Sequence, residues 1–194
     1  MILELRGKRI GFCFTASYYA LKSSIDEVKK LVKRGSEIIP IMSYDVYYND
    51  SKFGKAQDFI NEIEKITNKK VIHTMQEAEY IYDFYELDIM IIAPCSGNTI
   101  AKLANSITDT PVLVAARSHL KDSKPLVIGI CCKDALSYNA ENIGKLFNRK
   151  DLFFIPFGQD NPITKPYSIS YQPSLIRKTL ENALDKVQLQ PIIL

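Results

Sequence analysis

Hydroxyl side chains follow the first apolar run of the chain, where they can help to bind an anion. Thr15-Ala16-Ser17 comes directly after the run KRIGFCF at residues 8–14. The start of a helix leaves backbone N–H groups unpaired and carries partial positive charge, so nearby hydroxyls can join these groups in binding a phosphate. Ser and Thr are also ordinary helix caps that need no ligand. The pattern is therefore compatible with a phosphate site and with a simple cap.

A second polar turn comes after the apolar run DIMIIA at residues 88–93. It reads PCSGNT at residues 94–99 and presents a thiol, an amide and two hydroxyls. A plain turn from a strand into a helix needs only one capping residue. Four polar side chains in six positions exceed that need. We therefore predict that this turn contacts a ligand.

Two cations follow apolar runs further along the chain. Arg117 ends the run VLVAA at residues 112–116, which we interpret as a strand, and Lys133 lies just beyond the run LVIGIC at residues 126–131. An arginine at a strand end suits a phosphate or a carboxylate, but a surface arginine without a ligand fits the same position. Lys133 can bind an anionic substrate, whereas the neighbouring cysteines are typical of packing residues.

Other kinds of site find little support in the sequence. The glycine pattern of a dinucleotide-binding turn is missing, because Gly7 and Gly11 stand before and within the first strand. His73 and His119 are far apart and have no ligand-spaced neighbours, so we expect no metal site. The four cysteines lie in or beside apolar runs without CxxC spacing, which favours buried thiols in a reducing compartment. A nucleophilic thiolate is a remote option, and no catalytic residue is assigned.

The elements that must position these residues alternate along the chain, with apolar runs predicting strands and amphipathic stretches predicting helices. Strands are expected at residues 8–14, 37–42, 71–73, 88–93, 112–116, 126–131 and 153–155, and helices at residues 19–34, 56–66, 98–107, around 143–147 and 175–187. Apolar runs without alternation indicate strands buried on both faces of a parallel sheet. We predict a doubly wound, mostly parallel α/β sheet with helices on both faces, as a single domain over residues 1–194.

In such a sheet, ligands bind beyond the carboxyl ends of the strands, where the strand order reverses. We therefore expect the polar turns and the cations to meet at that edge. Residues 158–173 hold three of the nine prolines and are too polar for the core. They predict a lid-like segment.

Charge and hydropathy exclude two classes of partner. Lys and Arg number 25 against 22 Asp and Glu, a formal net charge of +3, which is far from the basic surface of a nucleic-acid-binding protein. No apolar run reaches the ~18 residues of a membrane helix, and residues 1–6 lack the order of a secretion signal. We expect a cytoplasmic protein that binds neither nucleic acid nor membranes.

The second polar turn and the helix after it match a known family signature. PCSGNTIAKLAN at residues 94–105, followed by Asp109, resembles the P-x-S-x-N-T-x-A-K-x-A…D signature of the flavoprotein superfamily that includes phosphopantothenoylcysteine decarboxylase and lantibiotic cysteine decarboxylases. Within it, several segments, above all FFIPFGQD at residues 153–160, resemble the B-subunit family of the dipicolinate synthases. The resemblance covers essentially the whole chain.

This resemblance implies an oxidoreductase of the sporulating mother cell that forms pyridine-2,6-dicarboxylate from a dihydro or hydroxytetrahydro precursor. It implies an A subunit that brings NAD(P) as partner, and a homo-oligomer with three-fold symmetry or a multiple of it. It also implies an FMN pocket formed by Thr15, Ala16, Ser17, Ser43, Pro94, Ser96, Asn98, Thr99, Ala116 and Arg117. The small dicarboxylate substrate would contact Asn98 and Lys133.

The chain departs from the decarboxylase pattern at two positions. Residues 79–81 contain no histidine where the decarboxylases carry one, and ICCK at residues 130–133 replaces their P-A-M-N substrate clamp. Decarboxylation of a cysteine is therefore disfavoured. The alternatives are a non-catalytic interaction subunit that keeps the flavoprotein fold and a flavin-dependent decarboxylase that uses another acid.

Overall fold

The computed structural model of the chain describes residues 5–194; residues 1–4, part of the predicted domain and of the segment considered as a secretion signal, lie outside that range. The strands are β1 (Arg9–Phe14), β2 (Glu37–Met42), β3 (Ile89–Cys95), β4 (Leu126–Cys132), β5 (Leu152–Phe154), β6 (Phe157–Asn161) and β7 (Lys165–Tyr171). The helices are α1 (Tyr18–Lys33), α2 (Tyr44–Tyr48), α3 (Ala56–Thr67), α4 (Met75–Glu79), α5 (Ile81–Phe84), α6 (Gly97–Ala104), α7 (Pro111–Lys121), α8 (Ala140–Phe147) and α9 (Ile176–Leu184). Within residues 5–194, none of these helices has the length and apolar character that crossing a bilayer requires.

The strands form one sheet in the order β2-β1-β3-β4. β5 pairs with the first half of β4. β6 and β7 form a hairpin, and β7 pairs with the last two residues of β4. The pairs among β1 to β5 are parallel, and the hairpin is antiparallel. Because parallel neighbours need crossover connections, helices link the strands and cover both faces of the sheet. The predicted doubly wound α/β fold is confirmed.

The central strands are apolar throughout because both of their faces are covered. Every residue of β3 and of β4 is buried. On α1, the buried residues Leu21, Ile25, Val28 and Leu31 form the stripe that the helical period predicts. Burial of one such side chain contributes ~1.5–3 kcal/mol, so this stripe fastens α1 firmly to the sheet. The start of α1 is thereby held at a fixed place beside β1.

The prediction of a strand at residues 112–116 is wrong, because these residues lie inside α7. Residues 111–116 are all buried, so the helix is apolar on every side over this stretch, and a short apolar run cannot distinguish such a helix from a buried strand. The two residues before this apolar run identify it as the start of a helix. Thr110 caps the helix by accepting a hydrogen bond from the Leu113 N–H (3.4 Å), and Pro111 occupies the first turn, a pairing typical of helix starts.

Smaller differences concern segments without a strong period. The sequence did not indicate the short helices α2, α4 and α5, which lie within residues 44–48 and 75–84. Residues 71–73 provide a single parallel bridge, from Ile72 to Ile41, instead of a strand. Helices of four or five residues complete too few turns to show a readable pattern.

The polar segment at residues 158–173 forms most of the β6–β7 hairpin. Two hydrogen bonds attach β7 to α1: one joins the hydroxyls of Tyr19 and Ser170 (2.8 Å), and the other joins those of Ser24 and Tyr171 (2.5 Å). Tyr171 also packs over Gly129 of β4, where an added Cβ would lie 3.0 Å from the tyrosine ring. The base of the hairpin is thus fixed to the sheet, while its tip at residues 162–164 is exposed.

His119 on α7 is a fully buried histidine that belongs to the core. Its Nε2 donates to the Pro125 carbonyl oxygen at 2.8 Å, and its Nδ1 accepts from the Tyr82 hydroxyl. Burial lowers the pKa of His119 to about 4. The imidazole is therefore neutral at pH 7 and serves to join α7 and α5 to the loop before β4.

We expect His119 to make the protein less stable as the pH falls. The folded pKa of about 4 lies below the usual value of 6.5, so this contribution is complete above pH 6.5 and is lost as the pH falls towards 4. Between pH 7 and pH 5 the free energy of unfolding should fall by about 2 kcal/mol from this group alone. Denaturant unfolding of the protein and of His119→Gln, which keeps a donor for Pro125, measures the difference. Equal losses in both proteins would contradict this assignment.

Candidate functional site

A cavity of about 430 Å³ lies at the carboxyl ends of β1, β2, β3 and β4. The lining residues are Thr15, Ala16, Ser17, Tyr18, Tyr19, Ser43, Asp45, Phe53, Ser96, Gly97, Asn98, Thr99, Lys102, Thr110, Leu113, Cys131, Cys132, Lys133 and Asp134. The structure thus brings together the turns that follow four neighbouring strands, although these turns are far apart in sequence.

The position of this cavity follows from the sheet topology. From β1 the chain crosses to β2 on one side, and it later enters β3 on the other side of β1. Connections that leave β1 and β3 in opposite directions open a crevice at the carboxyl edge of the sheet, where doubly wound proteins bind ligands. The residues that follow β1 and β3 are therefore placed to contact a ligand.

Thr15 joins the two turns on either side of this crevice. Its hydroxyl donates to the Pro94 carbonyl oxygen at 2.8 Å and accepts from the Ser96 N–H at 2.9 Å. Both partners lie at the end of β3 or directly after it, so the hydroxyl is fully used inside the protein. Pro94 contributes to the site in the same way, as a backbone acceptor beneath the lining residues.

Ser17 links the start of α1 to β4. It stands at the N-cap position of α1, but its hydroxyl donates to the Cys131 carbonyl oxygen at 2.8 Å and makes no capping bond to the helix. The first backbone N–H groups of a helix have no partner within the helix. Since Ser17, Tyr18 and Tyr19 all line the cavity, this uncapped helix start offers donors and partial positive charge to an anion.

Ser43 holds a hydroxyl without a partner. The side chain follows β2, is buried and lines the cavity, yet its Oγ is the one buried side-chain N or O atom in residues 5–194 that makes no hydrogen bond. The backbone N–H of Ser43 is bonded to the Phe14 carbonyl oxygen at 3.0 Å, which fixes the residue in place. A buried hydroxyl that lacks a partner costs free energy, so this atom marks a place for a polar ligand group.

In the polar turn after β3, some side chains cap helix α6 and another faces the cavity. Ser96 Oγ lies 3.0 Å from Thr99 Oγ1 and accepts from the Thr99 N–H at 3.4 Å, so Ser96 caps α6. Asn98 is exposed at the cavity wall. Of the four polar side chains in this turn, Ser96 and Thr99 form the cap and Cys95 is buried in β3, which leaves the Asn98 amide exposed to the cavity.

Close packing at Gly97 brings the turns after β3 and β4 together. A Cβ at this position would lie 2.8 Å from Cys132 Sγ and 2.9 Å from Asn139 Nδ2, too close for any larger residue. Cys132 Sγ donates to Asp134 Oδ1 at 2.9 Å, and Asn139 Nδ2 donates to both oxygens of that carboxylate at 3.2 and 3.1 Å. Burial and the Asp134 charge raise the pKa of Cys132 to about 12. Its thiol therefore stays protonated and packs against the turn.

Three members of the implied FMN pocket, Pro94, Ala116 and Arg117, do not line this cavity. Ala116 is fully buried in α7, and Arg117 is exposed on the same helix, where its Nη1 donates to Thr108 Oγ1 at 3.4 Å. Arg117 lines a separate cavity together with Arg149. Because residues 112–116 are helical, Arg117 does not follow a strand, and it does not line the cavity at the carboxyl edge of the sheet.

Lysines occupy two sides of the cavity. Lys102 on α6 pairs with Asp109 at 2.8 Å, which ties the helix to the segment before α7 and gives the lysine and aspartate of the sequence signature a structural role. Lys133 is exposed after β4 and lines the cavity. Lys133 therefore remains available to an anionic ligand.

Several lining residues were missed by the sequence analysis. Tyr18 and Tyr19 begin α1, and their position directly after Thr15-Ala16-Ser17 could have indicated them. Asp134 follows Lys133 in the same turn and could have been found in the same way. Phe53 comes from the loop before α3, for which the sequence offers no signal.

The residues of this cavity fit the FMN that the family resemblance implies. A phosphate group needs backbone or hydroxyl donors, and the uncapped start of α1 and the unpartnered Ser43 hydroxyl supply both kinds within one cavity. The volume of about 430 Å³ lies in the range usual for small-molecule and cofactor sites.

Comparisons with known proteins agree with the fold and the motifs. Residues 3–166 match the family described as Flavoprotein. The B subunit of dipicolinate synthase from Bacillus subtilis is 40% identical over 98% of this chain and 95% of its own length. The crystal structure of the B subunit of dipicolinate synthase from Bacillus halodurans is 38% identical with a TM-score of 0.90, covering 99% of this chain and 98% of that one.

A more distant structure shares the fold alone. The FMN-dependent cysteine decarboxylase SpaF is 19% identical with a TM-score of 0.65, covering 92% of this chain and 98% of that one. The resemblance to the B subunits that the sequence segments indicated is confirmed. Since the family match spans most of the chain, the chain belongs to the flavoprotein family.

Proposed function

We propose that this chain acts as the B subunit of a two-subunit dipicolinate synthase and forms pyridine-2,6-dicarboxylate together with an A subunit. The observation that carries the proposal is the 40% identity to the Bacillus subtilis protein over 98% of the chain. The substrate would be a dihydro or hydroxytetrahydro precursor, and the setting would be the mother-cell cytoplasm of a sporulating bacterium.

We further propose that FMN binds in the cavity at the carboxyl edge of the sheet. The phosphate would meet the start of α1 and the Ser43 hydroxyl, and the ring would lie near the turn at residues 94–99. Support comes from the unpartnered Ser43 Oγ and from the absence of a side-chain cap on α1. Arg117 can join this site only from outside the cavity described here, for example from a neighbouring chain of an oligomer.

The reaction class of this proposal is an oxidation. Conversion of a dihydropyridine into a pyridine removes one hydride and one proton, and a hydroxytetrahydro precursor first loses one water; a flavin or a nicotinamide supplies the hydride acceptor when bound. The residues of the chain would bind and orient the substrate. Lys133 can hold one carboxylate through a charge-assisted hydrogen bond, and the Asn98 amide can orient the ring. NAD(P) would reach the complex through the A subunit.

The Ser43 hydroxyl gives a specific test of the FMN site. Ser43→Ala should raise the Kd for FMN roughly 10- to 150-fold, because a hydrogen bond to a charged group contributes ~1.5–3 kcal/mol. The unliganded variant should be at least as stable as the parent, since an unsatisfied buried hydroxyl is removed. Flavin fluorescence titration and denaturant unfolding measure the two effects, and Ser174→Ala, at an exposed position outside the cavity, is the control. An unchanged Kd would place the phosphate elsewhere.

Lys133 gives a test of the substrate assignment. Lys133→Met keeps most of the bulk of the side chain but removes its charge, so loss of one charge-assisted contact of ~1.5–3 kcal/mol should lower kcat/KM of the two-subunit complex roughly 10- to 150-fold. Association of the two subunits should not change. Dipicolinate formation by the reconstituted pair measures the effect. Full activity in the variant would remove Lys133 from substrate binding.

A third test concerns self-assembly. Tyr44 and Tyr48 of α2 are exposed, and their ring centroids lie 6.3 Å apart; an apolar patch of this kind is typical of an interaction surface. We expect a homo-oligomer with three chains or a multiple of three, and we expect Tyr48→Ser to weaken it. Light scattering at micromolar concentration measures the mass. A stable monomer would contradict the expectation.

A further inference from the structure

A second cavity of about 600 Å³ adjoins the first one, and Tyr19, Phe53 and Lys133 line both. Its other walls come from the loop before α3 and from the β6–β7 hairpin. The lining residues are Tyr19, Lys52, Phe53, Lys133, Asp160, Thr164, Lys165, Pro166, Tyr167 and Ser168. A ligand in this second cavity would therefore lie directly beside a group bound in the first.

The charges around the second cavity favour a dianion. Lys52, Lys133 and Lys165 come from three separate segments of the chain, whereas Asp160 is the one acid in the lining. The Asp160 carboxylate accepts a hydrogen bond from the Ser168 hydroxyl at 2.5 Å, so it already has a partner. The lining carries a formal net charge of +2, which is complementary to a ligand with two carboxylates.

The rings around the second cavity favour a flat ligand. Tyr19, Phe53 and Tyr167 all contribute to its lining, and each is at least 42% exposed. Exposed aromatic faces next to a cavity can stack on a planar ring. The Lys52 ammonium lies 5.2 Å from the centroid of the Phe53 ring, so a cation and an aromatic face are presented together.

The two segments that carry the outer lysines are held by local hydrogen bonds. In the loop, the backbone groups of Ser51 and Gly54 bond to each other in both directions at 2.9 and 3.1 Å, which shapes the turn that presents Lys52. In the hairpin, Asn161 Oδ1 accepts from the N–H groups of Ile163 and Thr164 at 2.9 and 2.8 Å. Lys165 follows directly. Both lysines thus extend from ordered turns.

We infer that the second cavity is the binding site for a small planar dicarboxylate. Lys133 takes one carboxylate, Lys52 and Lys165 take the other, and the aromatic side chains cover the ring. The inference rests on the proposed function for the identity of this ligand, a pyridine dicarboxylate. It places the ring against these aromatic side chains instead of against Asn98, which lines only the first cavity. It also assigns the hairpin that the sequence indicated as lid-like to substrate selection.

This arrangement would make the site prefer a ligand with two carboxylates over a ligand with one. A pyridine-2-carboxylate would satisfy Lys133 but leave Lys52 and Lys165 without an anion. Inorganic phosphate would supply charge without a ring for Tyr19, Phe53 and Tyr167. Both ligands should therefore bind more weakly than pyridine-2,6-dicarboxylate.

Direct binding to the full chain tests the inference. Isothermal titration in metal-free buffer at constant ionic strength would use pyridine-2,6-dicarboxylate, pyridine-2-carboxylate and inorganic phosphate. Lys52→Met and Lys165→Met should each weaken binding of the dicarboxylate roughly 1.5- to 5-fold, the range for one exposed charge pair, and should leave the monocarboxylate unaffected. Lys178→Met is the control, because Lys178 is an exposed lysine on α9 outside both cavities.

Dipicolinate formation by each variant with the A subunit, measured in parallel, separates the inference from the proposed function. The inference is supported if the parent prefers the dicarboxylate and both lysine variants reduce this preference. This holds even if the reconstituted pair makes no dipicolinate and the proposed function fails. An active pair in which both variants bind the dicarboxylate as tightly as the parent overturns the inference and leaves the function in place. Equal affinity for phosphate, or no dicarboxylate binding at all, also overturns it.

Discussion

The reversal of strand order between β1 and β3 is the constraint on which the rest of the structure depends. It opens the carboxyl edge of the sheet, and the Thr15 hydroxyl holds the opening at a fixed width by bonding to Pro94 and Ser96 on the opposite side. Ser17 repeats this arrangement towards β4 through the Cys131 carbonyl oxygen. Three neighbouring strands are thus joined at their ends by hydroxyls that bind backbone groups.

This use of hydroxyls explains how the cavity combines rigidity with binding capacity. The side chains of Thr15, Ser17 and Ser96 are occupied by protein partners, whereas Ser43 Oγ and the start of α1 are not. The occupied groups set the shape of the cavity, and the free ones are available to a ligand. The Ser and Thr residues of such a sequence pattern therefore have two different roles: some hold the protein together and others are free to bind a ligand.

Sequence patterns predicted the parallel strands of the sheet and most of the helices because buried strands and amphipathic helices have distinct periods. They failed at α7, where complete burial removed the period, so Arg117 was expected after a strand although it lies within a helix. They could not anticipate that the hairpin containing Lys165, together with Lys52, would line a second cavity beside Lys133. Such contacts between segments distant in sequence are set by tertiary packing, which local patterns do not encode.

The absorbance spectrum of the purified full chain tests the central claim most directly. The chain would be incubated with FMN, alone and with the A subunit, and then separated from excess cofactor by gel filtration. The account predicts that the visible band of oxidised flavin travels with the protein at close to one FMN per chain. A protein that remains colourless in both samples would contradict it.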